Sequence, residues 1–261
     1  EATDGQILQE GICETGAMAS FQAAGTAYAV HGVPTIPFYI FYSMFGFQRV
    51  GDMIWSCADM MCRGFLLGGT AGRTTLNGEG LQHEDGHSHV LASTVPNLKS
   101  YDPAFSYELA VIVRDGIYRM YEQQENIFYY LTVYNENYQM PAIPQNDNIE
   151  EGILQGAYCW RPGEGEGEPI HLLGSGSIML QAMAAAEVLE SMGFVVHIWS
   201  VTSYTELCRE AEACERYNRL NPLEQPHVPY IQSLFEGETG PIIAVSDYMK
   251  ALPNSIARWM P

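Results

Sequence analysis

The sequence predicts an α/β fold made of two open, mostly parallel sheets with flanking helices. Three observations carry this expectation. Short apolar runs of strand length alternate with stretches of helical period along the chain. The resulting strand, helix, strand order requires parallel pairing. The apolar fraction, 47% of 261 residues, is enough to fill two cores.

From Gln6 to His31, Ile7, Ile12, Ala17, Phe21, Ala24 and Tyr28 recur at helical spacings and predict a largely buried helix. Glycines at 11, 16 and 25 point to a helix start or to close packing. Residues 37–42, Pro-Phe-Tyr-Ile-Phe-Tyr, predict a buried strand. A helix is expected over Phe45–Arg63, then a strand at Phe65–Leu67 that ends at Gly68-Gly69. Residues 70–89 are too rich in glycine for regular structure and too long for a plain connector, which marks a functional loop. A helix over 104–121 and a buried strand over Ile127–Val133 complete the first domain, 1–143.

Residues 141–147 hold two prolines and little apolar content and are the expected linker, so the second domain spans 144–261. It should contain a strand at His171–Leu173, the turn Gly174-Ser-Gly-Ser177, a helix over 178–191, a strand over 194–200, a helix over 204–218 and a strand over Ile242–Val245. The segment Gly163-Glu-Gly-Glu-Gly-Glu168 reads as an exposed turn between two strands. The chain opens on Glu1 rather than Met and stops at Pro261 directly after an apparent helix, so both ends are expected to be cuts through a longer polypeptide.

Charge narrows the function. With 31 acidic against 12 basic side chains and a formal charge of −19, neither nucleic acid nor an anionic membrane surface is an expected partner. No apolar run approaches the roughly 20 residues needed to span a bilayer, and no signal segment opens the chain. Six cysteines without paired short spacings point to a reducing, cytoplasm-like compartment.

Several residues could carry chemistry. Glu14 sits in the apolar stretch Gly-Ile-Cys-Glu-Thr-Gly-Ala, where a charge is costly unless paired; the alternative is a solvent-facing carboxylate at a helix start. Residues 78–89 gather three histidines and three acids, suited to proton transfer or anion binding, with a metal site or a solvated loop as alternatives. Tyr42 and Phe45 lie where a strand turns into a helix, the customary ligand position in open α/β sheets, and could stack on a planar ring or simply pack in the core. The turn at 174–177 could hold an anion at a helix N-terminus or serve simply as a tight turn.

The runs Ile36–Arg49 and Gly72–His89 resemble the homodimeric pyruvate dehydrogenase component of bacteria, a family with transketolase-like architecture. The likeness extends from Gln6 through Tyr248 and includes Val133-Tyr-Asn-Glu-Asn-Tyr-Gln-Met-Pro141, Leu172–Ser177 and Val201–Leu207. It implies that 1–143 is a truncated pyrimidine-binding domain and 144–261 a truncated C-terminal domain. It also implies thiamine diphosphate as cofactor, with Mg2+ held by a diphosphate-binding domain whose Gly-Asp-Gly motif is absent here. By matching motif, Glu14 would bond the cofactor's aminopyrimidine, Phe45 would stack on it, Tyr42 would line the pocket, and His83 and Glu79 would reach the reacting centre. No metal ligand is expected within this chain. The implied activity is oxidative decarboxylation of pyruvate with acetyl transfer to a lipoyl group. The implied partners are a second subunit in a homodimer and the dihydrolipoyl acetyltransferase component, and the isolated fragment is expected to be inactive. Alternatives are ketol transfer of the transketolase type, a non-catalytic partial copy, and a metal-dependent hydrolase built on the histidine-rich loop.

Overall fold

A computed structural model describes residues 4–76, 78–145 and 148–261. In chain order it forms α1 (Glu14–His31), β1 (Phe38–Tyr42), α2 (Ser43–Asp59), β2 (Phe65–Gly69), α3 (Ser88–Ala92), β3 (Leu98–Tyr101), α4 (Ser106–Ile117) and β4 (Phe128–Thr132). These are followed by α5 (Ile149–Gln155), β5 (Ala157–Arg161), β6 (Pro169–Gly174), α6 (Met179–Ser191), β7 (Val195–Val201), α7 (Tyr204–Leu220), α8 (Tyr230–Leu234), β8 (Ile242–Val245) and α9 (Ala251–Asn254).

The first sheet has strand order β1-β2-β4-β3 and is parallel throughout. The second has order β5-β7-β6-β8, parallel except for β5, which runs antiparallel to β7. The fold class is therefore the expected one. Burial follows strand position. All five residues of β4 are buried, because a central strand with helices on both faces has no solvent side.

Two expectations need correction. The first helix begins at Glu14, not Gln6: Gly11 adopts φ +67°, and Ile7 and Ile12 stay exposed outside the helix. It is also less buried than its composition suggests, with Met18, Phe21, Gly25 and Thr26 its buried residues. β1 is not a buried strand. It is the edge of its sheet, and only Phe41 is buried while Ile40 is 68% exposed. β2 does end on Gly68-Gly69 as expected, and the Tyr130 hydroxyl and Ser43 press against Gly68 and leave no room for a side chain there.

A polar seam joins the two sheets. The backbone of Asp102 donates to Thr202 O at 2.7 Å, Ser203 Oγ donates to Ser100 O at 2.6 Å, and Lys99 pairs with Glu206. The buried carboxylate of Glu108, in the first turn of α4, accepts from the backbone N–H groups of Ala104 (2.6 Å) and Phe105 (3.0 Å). It also accepts from the hydroxyls of Tyr158 (2.7 Å) and Ser200 (2.6 Å), on β5 and β7. The Tyr158 and Ser200 hydroxyls thereby find their acceptor across the seam, and the two backbone N–H groups find theirs in the same carboxylate.

Candidate functional site

The end of β1 and the start of α2 bring the aromatic pair into place. Tyr42 is the last strand residue and directly precedes α2, and Phe45 lies on its first turn, with the rings edge-on at 6.2 Å. Arg49, one helical turn after Phe45, stands on the same face. Its guanidinium lies 4.1 Å over the Phe45 ring, a cation–π contact, and it pairs with the Glu14 carboxylate. Glu14 is the first residue of α1, where the helix dipole favours a negative charge. Its side chain is 19% exposed, so it is neither fully buried nor a freely solvated cap.

The long loop supplies the other side. A single 3-10 turn, Leu81–His83, sets the His83 imidazole edge-on to Tyr42 at 4.8 Å and to Phe45 at 5.0 Å. His83 Nδ1 lies 2.7 Å from Glu79 Oε2. Both atoms are buried, and neither makes an aligned hydrogen bond within the protein. Glu14, Tyr42, Phe45, Glu79 and His83, separated by up to 69 positions, therefore form one continuous cluster through Arg49. Tyr39, on β1, donates its hydroxyl to the Glu14 carbonyl at 3.3 Å. Burial and then the neighbouring Glu14, Cys13 and Glu10 push its phenol up to about 12, so it stays a donor at neutral pH.

The loop does not act as one cluster. His89 leaves it for the interior, where Nε2 meets Thr132 Oγ1 at 2.9 Å and burial lowers its pKa despite Asp102 and Asp85 nearby. His87 is exposed. Among the described residues no group of three His, Cys, Asp or Glu side chains is placed to hold a metal ion. The turn at 174–177 is filled by the chain itself. The Tyr134 hydroxyl sits against Gly176, and Ser177 Oγ contacts Thr75 Oγ1 at 2.5 Å, leaving no anion cradle.

Arg49 is the site residue that sequence reading passes over. Its spacing of four from Phe45 inside the aromatic run was the available signal. Two surface clefts lie elsewhere, one beside Arg161 and Glu190 and another beside Phe235 and Trp259, and none of the cluster lines either of them. With Tyr42 48% exposed, the cluster is an open face rather than an enclosed pocket.

Residues 1–141 match the family described as the pyruvate dehydrogenase E1 component middle domain. The chain belongs to the pyruvate dehydrogenase E1 component family. Residues 156–259 match a second family, the transketolase-like C-terminal domain. The chain is 53% identical over 263 residues to a pyruvate dehydrogenase E1 component of Pseudomonas aeruginosa, covering 100% of this chain and 30% of that protein. The corresponding protein of Escherichia coli K12 is 54% identical over 263 residues, covering 100% and 29%. The chain thus spans about 30% of the length of these curated relatives. Among solved structures, transketolase from Leishmania mexicana superposes with a TM-score of 0.61 at 15% identity, covering 95% of this chain and 35% of that one. That likeness shows a transketolase-like fold. The aromatic cluster of this E1-family chain sits on the matched middle domain.

Proposed function

We propose that this chain provides the pyrimidine-facing side of a thiamine-diphosphate site in a pyruvate-decarboxylating dehydrogenase. The observation that carries the reading is the Glu14 carboxylate, held at a helix start by Arg49, which lies over the Phe45 ring that in turn meets His83 of the Glu79–His83 pair. These residues fit the cofactor: a carboxylate and the exposed Tyr42 ring suit a planar ring with basic nitrogens, and Glu79 Oε2 and His83 Nδ1 are buried polar atoms without an aligned hydrogen bond. When bound, thiamine diphosphate supplies the electron sink for loss of carbon dioxide from a 2-oxoacid.

Glu14 shares a proton with a pyrimidine nitrogen through the carboxylate that Arg49 orients. Phe45 stacks on the ring, and Tyr42 closes the side of the pocket. Glu79 and His83 hold or move protons where pyruvate loses carbon dioxide and its two-carbon unit passes to a lipoyl disulfide, which is reduced as that unit reaches the acetyl level. Mg2+ and the diphosphate fall to a domain outside these residues. A homodimer completes the site, and the dihydrolipoyl acetyltransferase component receives the acetyl group. Six free cysteines agree with a reducing, cytoplasmic location, and among the described residues no helix is long and apolar enough to cross a membrane.

The test uses the full-length protein. Carbon dioxide release from pyruvate should require both thiamine diphosphate and Mg2+, and Glu14→Ala should remove most of it while leaving the circular dichroism spectrum unchanged. Near-normal turnover by Glu14→Ala, or turnover of ketose phosphates in place of pyruvate, would overturn the reading.

A further inference from the structure

The loop that carries Glu79 and His83 belongs to the first sheet, yet the second sheet's unit grips both of its legs. On the outgoing leg, Asp247 Oδ2 accepts from the backbone N–H of Arg73 (3.1 Å) and of Thr74 (3.2 Å), and Asp247 Oδ1 accepts from the Thr74 hydroxyl. One residue further, Thr75 Oγ1 contacts Ser177 Oγ at 2.5 Å. On the returning leg, Met249 N donates to Gly86 O at 3.0 Å. The legs are tied to each other by Asp85 N donating to Gly72 O at 3.2 Å. Gly72 has φ +89°, and a side chain there would come within 2.9 Å of Asp247 Oδ2, so the close approach of the carboxylate requires glycine.

Asp247 is 9% exposed and lies in the turn between β8 and α9, far in sequence from the loop it holds. A buried carboxylate that accepts two adjacent backbone N–H groups and a hydroxyl fixes the backbone direction at those residues. Their direction in turn decides where the tip, with its single 3-10 turn at 81–83, meets Tyr42 and Phe45.

We propose that Asp247 is a positioning residue for the reaction: through the legs of the 70–89 loop, the second unit sets the placement of Glu79 and His83. This rests on the role given to Glu79 and His83 above. The second unit thereby takes part in the site through the loop's backbone. A displacement of about an ångström in a catalytic group is enough to cost a large factor in rate.

The experiment compares the full-length protein with its Asp247→Asn and Thr74→Val variants, by amide hydrogen exchange and by carbon dioxide release from pyruvate. Asn keeps the shape of the side chain but loses the charge and presents N–H groups to donors; Val removes only the Thr74 hydroxyl. In Asp247→Asn, exchange at 72–76 and 78–86 should quicken on the order of tenfold or more, with both sheets unchanged. The same variant should lose kcat by a similar factor with a smaller change in KM, and Thr74→Val should move both quantities in the same direction by less. Unchanged loop exchange in Asp247→Asn overturns the proposal, and so does faster exchange with kcat unaltered. The exchange measurement needs no turnover, so an unmodified protein that fails to decarboxylate pyruvate counts against the proposed function and not against the clamp.

Discussion

Replacing Glu108 separates two kinds of contribution to the seam. In Glu108→Ala the N–H groups of Ala104 and Phe105 lose their acceptor inside the protein, and so do the Tyr158 and Ser200 hydroxyls. Each orphaned backbone donor costs about 1–3 kcal/mol, while the hydroxyls can rotate, Tyr158 toward Tyr107 at 2.5 Å, and cost less. A loss of about 3–5 kcal/mol follows. In Glu108→Gln the amide oxygen still serves both N–H groups and the amide NH2 faces two hydroxyls able to accept, so the loss should be near 1 kcal/mol. Burial, opposed by these hydrogen bonds, raises the Glu108 pKa above its ordinary 4.5. The folded state therefore holds this proton more tightly than the unfolded one. The associated stability is complete below pH 4.5 and is lost as pH rises through the folded value. Urea unfolding followed by tryptophan fluorescence at several pH values measures all of this. Glu108→Gln should flatten that part of the pH dependence, and a Gln variant as unstable as the Ala variant would refute the reasoning.

Other perturbations have definite outcomes. His83→Ala in the full-length protein should lower kcat for pyruvate by about 100-fold or more if it moves a proton, with thermal unfolding unchanged. Gly68→Ala forces a methyl against the Tyr130 hydroxyl and Ser43 and should cost about 1–3 kcal/mol in denaturant titration. Ile54→Ala, at a fully buried position of α2, should cost about 2–5 kcal/mol in the same assay. Burial lowers the His89 pKa below 6.5 against the pull of Asp102 and Asp85, so the unfolded chain binds this proton more readily and stability should fall as pH drops below 6.5. His89→Gln should remove that segment of the pH profile.

The sequence shows most where local pattern and burial coincide. β4 reads as a buried strand because five consecutive residues are enclosed on both faces, and α7 because its apolar stripe has helical period. β3 escapes notice because Leu-Lys-Ser-Tyr lacks an apolar run. Its polar members are satisfied by Glu206, Thr205 and Ser203 more than 100 positions later, contacts that no local window contains. β1 misleads for the opposite reason: an aromatic run reads as interior whether it lies at the centre or the edge of a sheet. At the site, Tyr42 and Phe45 are legible from the strand-to-helix junction, whereas the tasks of Glu14, Glu79 and His83 come from family resemblance. The pairing of Glu14 with Arg49 is a tertiary contact between two helices, and only the spacing of Arg49 from Phe45 hinted at it.

The edge position of β1 bears on how the chain behaves at high concentration. Phe38, Ile40 and Tyr42 form an exposed row along a strand whose outer backbone groups have no neighbouring strand among the described residues. Such an edge is a template for another strand to add to. The charge of −19 holds copies apart through mutual repulsion, and salt weakens that repulsion. Colloidal stability of the isolated chain should therefore decline as ionic strength rises, the reverse of ordinary salting-in, with a charged side chain in place of Ile40 restoring it.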